Sequence, residues 1–134
     1  MDYLFDANTI FLGYKRGLED IIVEGYTINL AVFEIGNIIW KEVSVYKSIS
    51  IKEALEILEA LSDLLELMTI ININMLEKEI LEIASELGVT YYDASYVYSA
   101  WKRNLVFVTE DKKLTRAIKN KMKLNVISLL AISK

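Results

Sequence analysis

The sequence predicts an α/β fold, a three-layer α/β/α sandwich in which helices cover both faces of a five-stranded parallel sheet. Two observations carry this reading. Strand-like and helix-like segments alternate along the chain without a linker, and the first strand-like run, Tyr3-Leu4-Phe5, is continuously apolar and stops on a carboxylate, Asp6. Strands buried on both faces read as unbroken apolar runs, and alternation of strands with helices builds parallel sheets. At 134 residues, 54% of them hydrophobic, the chain is expected to form a single domain over 1–134 that buries roughly two thirds of its unfolded surface.

After the Asp6 strand, Thr9 to Val23 carries apolar residues at helical spacing, interrupted by Gly13 and Gly17, which predicts two short helical pieces closed by Gly25. Thr27 to Leu30 reads as a second strand. Val32, Ile35, Ile38 and Ile39 then recur at helical intervals toward Tyr46, with Glu34 and Asn37 three apart on one face. Ser50 and Glu53 form a capping box that opens a helix with the stripe Ile51, Ala54, Leu55, Leu58, Leu61, Leu65 and Met68. Leu64 and Leu67 stand beside that stripe.

Thr69 to Ile73 is β-branched and reads as the third strand. Asn74 and Glu77 predict a cap for a helix through Leu87, stopped by Gly88. Thr90 to Arg103 is the next helix, Leu105 to Val108 the fourth strand, Lys112 to Lys121 another helix and Val126 to Leu129 the fifth strand.

Composition narrows the chemistry. The chain has no cysteine and no histidine, which removes disulfides, thiolate or imidazole metal sites, cysteine nucleophiles and histidine general bases. Reactions at neutral pH must then rest on carboxylates, lysines, tyrosines or an oxygen-held metal. An acid at position 2 and the lack of a leader-like or membrane-length apolar run predict a soluble, cytoplasmic protein. The net charge of −4 argues against a general nucleic-acid coat, but leaves room for a local basic surface.

Four acidic residues stand out. Asp6 and Asp111 follow apolar strands, whereas Glu34 and Asp93 fall in the first turns of helices. Each has a plain structural explanation: Asp6 as a helix cap, Asp93 as the acidic half of a capping box with Thr90, Asp111 as a favourable charge at a helix start. Glu34 is harder to explain away, flanked by Val32, Phe33 and Ile35, because a carboxylate among apolar neighbours is costly unless something cationic meets it. The chain's geometry can bring all four to one sheet edge, where they would repel each other. A hard cation bound by oxygen relieves that repulsion and selects Mg2+ or Mn2+ over zinc.

Leu4-Phe5-Asp6-Ala7-Asn8, Phe33-Glu34-Ile35-Gly36-Asn37, Tyr92-Asp93-Ala94-Ser95-Tyr96 and Val108-Thr109-Glu110-Asp111-Lys112-Lys113-Leu114 resemble the four acidic motifs of PIN-domain nucleases in order and spacing. The likeness covers essentially the whole chain, and its length is most similar to VapC-type ribonuclease toxins. The resemblance implies strand order 3-2-1-4-5, metal binding by Asp6, Glu34, Asp93 and Asp111, and polar support from Asn8, Asn37 and Thr109. It also implies endonucleolytic cleavage of RNA, a small antitoxin partner and a homodimer. Glu110 beside Asp111 leaves open which of the two faces the metal, with Asp111 favoured. Eight of the fifteen Lys and Arg residues lie between Lys102 and Lys123, and Lys112, Lys113 and Arg116 are the candidates for holding RNA phosphates.

Other readings compete. Asp6-Ala7-Asn8-Thr9 echoes the nucleophile motif of haloacid-dehalogenase-like phosphatases, but the second aspartate there is Asn8 here. A phosphoacceptor receiver domain would need an aspartate at the end of the third strand, where this chain has Ile73-Asn74. A PIN fold that binds RNA or protein without turnover is the third alternative.

Overall fold

The computed structural model describes residues 2–132. Five parallel strands form one sheet in the order β3-β2-β1-β4-β5. They are β1 (Tyr3–Phe5), β2 (Tyr26–Ile28), β3 (Thr69–Ile71), β4 (Val106–Val108) and β5 (Val126–Ile127). Seven α-helices complete the sandwich: α1 (Ala7–Lys15), α2 (Glu19–Ile22), α3 (Leu30–Ser44), α4 (Ile51–Leu67), α5 (Glu77–Leu87), α6 (Tyr91–Lys102) and α7 (Lys112–Lys119). The class is the one the sequence predicts, and the strand order is the one the PIN-domain resemblance implies.

The apolar run before Asp6 is central because both its edges are paired. Leu4 lies opposite Tyr26 of β2 and Phe107 of β4. Leu4, Phe5, Phe107 and Val108 are fully buried and join Ile10, Ile28, Val97 and Leu129 in one core. The strand order reverses between β1 and β4, so the carboxyl ends of those two strands open onto the crevice where α/β sheets bind ligands.

Several boundaries differ from expectation, each for a local reason. Helix α1 starts directly at Ala7, because the Asp6 carboxylate accepts a hydrogen bond from the Thr9 N–H (2.9 Å) and caps it. Gly13 lies within that helix; its missing side chain lets Ile22 pack close, with only 2.8 Å from an added Cβ to Ile22 Cγ1. The break falls instead at Gly17, whose φ of +71° suits glycine. Strand β2 stops at Ile28, and Leu30 already belongs to α3.

The expected cap at Asn74 does not form. Helix α5 begins after Leu76 without a side-chain cap, and the asparagines make a turn network, in which the Asn29 carboxamide oxygen accepts from the Ile73 N–H (3.1 Å) and the Asn72 oxygen from the Asn74 N–H (2.8 Å). Strand β3 accordingly ends at Ile71, before this turn. Strand β5 is likewise short, and Leu129–Ala131 is a single 3-10 turn.

The capping box of α4 is complete, with Ser50 and Glu53 each accepting from the other's backbone N–H at 3.1 Å. Its buried stripe is rotated from the predicted one. Ala54, Leu61, Leu64 and Leu65 are buried, whereas Ile51 and Leu55 are exposed. At about 100° per residue, a stripe centred on Ala54 and Leu61 leaves Leu55 roughly a third of a turn away. Gly88 ends α5 in the left-handed conformation, as expected.

Candidate active site

Asp6 leaves the carboxyl end of β1 with both of its oxygens engaged. One caps α1 through the Thr9 N–H; the other accepts a 2.6 Å hydrogen bond from the Thr109 hydroxyl at the end of β4. The same Thr109 oxygen accepts from the Asp111 N–H at 3.2 Å. Thr109 is buried, so it is a fixed link between the two acids. Across the crevice, Glu34 on α3 accepts a 2.6 Å hydrogen bond from the hydroxyl of Tyr96 on α6. Asp93 lies one helical turn before Tyr96, on the same face of α6.

Asp6, Glu34 and Asp93 line one small polar pocket of about 160 Å3, together with Asn8, Asn37, Lys41 and Tyr96. Asp111 lies in an adjoining pocket that it shares with Asp93 and Lys113. Among the described residues no three acidic side chains close into a finished ion cage. Glu110 is turned elsewhere, its carboxylate accepting the Leu129 N–H at 2.7 Å. Asp111, not Glu110, therefore adjoins the other acids.

The electrostatics mark the same group. Burial pushes the Asp6 carboxyl above its ordinary range, with repulsion from Asp93 adding to it and hydrogen bonds from Thr109 and Thr9 opposing it. Glu34 is raised by burial, with the Tyr96 hydrogen bond opposing and Asp6 and Asp93 adding to the rise. Asp93 is raised by burial and then by Asp111, against a hydrogen bond from Thr90. Burial and Glu34 push the Tyr96 hydroxyl up as well, so it stays protonated and donates. A raised carboxyl pKa means that the folded chain binds protons more readily than the unfolded one. The stability these groups contribute is present at low pH and is lost as pH rises through their folded values. In their charged forms the three groups weigh against the fold. The donor set, carboxylate oxygens around a small polar pocket, fits a hard divalent cation.

A curated relative, "Exonuclease VapC9" of Pyrobaculum aerophilum, is 34% identical over 120 residues, covering 85% of this chain and 84% of its own. The chain belongs to the VapC family. No family model matches it. Solved structures agree on the fold that VapC proteins share. PAE2754 from Pyrobaculum aerophilum aligns with a TM-score of 0.80 at 26% identity, covering 98% of this chain and 93% of that one. A toxin-antitoxin complex from Klebsiella pneumoniae aligns at 0.63 and 19% identity, over 94% and 96% of the two chains. VapBC2 from Rickettsia felis, bound to a DNA fragment from their promoter, aligns at 0.61 and 18% identity, over 96% and 98%.

In this VapC chain the predicted supports Asn8 and Asn37 line the acidic pocket, and Thr109 bridges two of the acids. The predicted basic cluster divides. Lys113 lines the pocket of Asp93 and Asp111, whereas Lys112 and Arg116 line a separate groove with Lys119 against β5. Sequence reasoning missed Lys41, Tyr96 and Lys119. Lys41 follows Glu34 by seven residues, with Asn37 and Ile38 between them at helical spacing, so the periodicity of α3 carried its signal. Tyr96 is 62 residues from its partner Glu34, and nothing local announces that bond.

Proposed function

We propose that this VapC chain is a Mg2+- or Mn2+-dependent ribonuclease that serves as the toxin of a toxin–antitoxin pair in the cytoplasm. The observation that carries the reading is the convergence of Asp6, Glu34 and Asp93 on one pocket with Asp111 next to it. The nuclease name of the Pyrobaculum relative and the toxin–antitoxin neighbours support it.

In this reading Asp6, Glu34, Asp93 and Asp111 would hold the cation. When bound, the ion supplies the Lewis acidity that phosphodiester hydrolysis needs. The protein's own groups set the stage for it. Thr109 fixes the Asp6 carboxylate, and Tyr96 fixes that of Glu34 by a proton it does not give up. Lys41 and Lys113, one at each end of the acidic site, offset its negative charge where an RNA phosphate must approach. Lys112 and Arg116 extend that attraction beyond the site.

The deciding experiment is cleavage of single-stranded RNA by purified protein. Cuts in Mn2+ and none in chelator are expected. Persistent RNA binding with no cutting in any divalent ion would instead leave a PIN-fold binding module.

The partner proposals rest on exposed apolar side chains, among them Phe33, Trp40, Leu55 and Leu67 on the packed pair α3 and α4. So much apolar surface suits a small antitoxin and a second copy of the chain. Light scattering is expected to give twice the 15.4 kDa chain mass; a 15.4 kDa particle at all micromolar concentrations would remove the homodimer.

A further inference from the structure

Helix α7 presents Lys112, Thr115, Arg116 and Lys119 at positions i, i+3, i+4 and i+7, while Leu114 and Ile118 face the core. A solvated cationic face needs no concavity, yet these side chains border an open groove of about 370 Å3, with Val126, Ile127 and Ser128 on its other side. That volume lies within the range of small-molecule sites, roughly 300–1,000 Å3. Thr109 and Glu110 form the end nearest the acids. Thr109 lines this groove and donates its hydroxyl to Asp6, which lines the acidic pocket, so one hydrogen bond links the two sites at the end of β4.

We infer that the α7–β5 groove is a subsite for the terminal phosphate monoester of a nucleic-acid chain, an assignment that rests on the ribonuclease reading above. The charge balance points to an end and not to an internal linkage. Three cations face one acid, Glu110, whose carboxylate is already held by the Leu129 N–H. The surplus is two positive charges. An internal phosphodiester carries one negative charge, whereas a phosphate monoester carries about 1.5 to 2 near neutral pH and offers three acceptor oxygens. The planar guanidinium of Arg116 suits bidentate contact with such a group. Val126 and Ile127 give the attached nucleoside an apolar wall. A strand anchored here by its end would lay its nearest linkages toward the acids, so cleavage would depend on the chemistry of the terminus, which purely internal cutting would not require.

Binding in chelator tests this without turnover. Oligoribonucleotides of one sequence, carrying a 5′-phosphate, a 3′-phosphate or hydroxyls at both ends, would be titrated by fluorescence anisotropy at fixed ionic strength. One phosphorylated form is expected to bind about tenfold or more tightly than the hydroxyl form, and which form does so identifies the end. Arg116→Ala and Lys119→Ala, at exposed positions that leave the core untouched, should abolish that difference. Lys113→Ala, outside the groove, should weaken all three RNAs together and preserve the ratio. Equal affinity of the wild type for the three RNAs overturns the subsite and leaves the ribonuclease reading intact. If no RNA binds, nucleoside 5′- and 3′-monophosphates are the probes. Amide shifts confined to α7 and β5 would then keep the phosphate site and remove the nucleic-acid reading, and their absence would overturn both.

Discussion

Asp6→Asn is expected to melt no lower than wild type in chelator, yet to lose most of the stabilisation that Mn2+ gives the wild type. The first half follows from the raised pKa of Asp6: burial outweighs the hydrogen bonds from Thr109 and Thr9, so the charged form is disfavoured in the folded chain. Asparagine removes that charge while remaining about as good a helix cap as aspartate, so the Thr9 N–H keeps its acceptor. The second half follows from linkage. A cation at a hundredfold its Kd stabilises the wild type by about 2.7 kcal/mol, and a site lacking its Asp6 carboxylate should gain far less. RNA cleavage should vanish in the same variant.

The pH dependence checks the same origin. In chelator, wild-type stability should rise as pH falls through the folded values of Asp6, Glu34 and Asp93, because all three are raised. The rise should be smaller in Asp6→Asn, which has one fewer of these groups to protonate. Identical Mn2+ responses in the two proteins would reduce Asp6 to a helix cap and withdraw the metal site.

Much of this arrangement was legible in the residues because it is local. The apolar run ending on Asp6, the Ser50–Glu53 capping box and the Gly88 stop all depend on neighbours within a few positions, and each stands where it was expected. The plain and functional explanations of Asp6 and Asp111 turned out to be compatible: each caps a helix through one oxygen and still lies among the acids. What escaped the sequence is long-range. The bonds donated by Tyr96 to Glu34, by Thr109 to Asp6 and by the Ile73 N–H just after β3 to the Asn29 carboxamide oxygen join residues 62, 103 and 44 positions apart. Periodicity also finds a helix before it finds the centre of its buried face. The apolar residues of α4 exceed what one packing face can hold, so Ile51 and Leu55 were assigned to the core that Leu64 in fact joins.

Gly25→Ala and Gly36→Ala are expected to shift stability in opposite directions, though the chemical change is the same. A Cβ at Gly25 would collide with Cε2 of Phe5, approach Cδ2 of that ring to 2.9 Å and lie 3.1 Å from the Tyr3 carbonyl oxygen. Phe5 is fully buried and its backbone carbonyl accepts the Thr27 hydroxyl at 2.8 Å, so the ring has little room to retreat. Overpacking of this kind costs about 1–3 kcal/mol. Gly36 lies inside α3, and a Cβ there meets nothing within 4 Å, so alanine should stabilise by roughly 0.5–1 kcal/mol through helix propensity. The two variants should differ in the site as well. Phe5 immediately precedes Asp6, and a displaced ring carries that carboxylate away from Thr109; the Mn2+-dependent gain in melting temperature should therefore shrink in Gly25→Ala along with the basal stability. Denaturant melts with and without Mn2+ would measure both effects, and a Gly25→Ala protein as stable as wild type would show that the Phe5 ring is not confined as this packing requires.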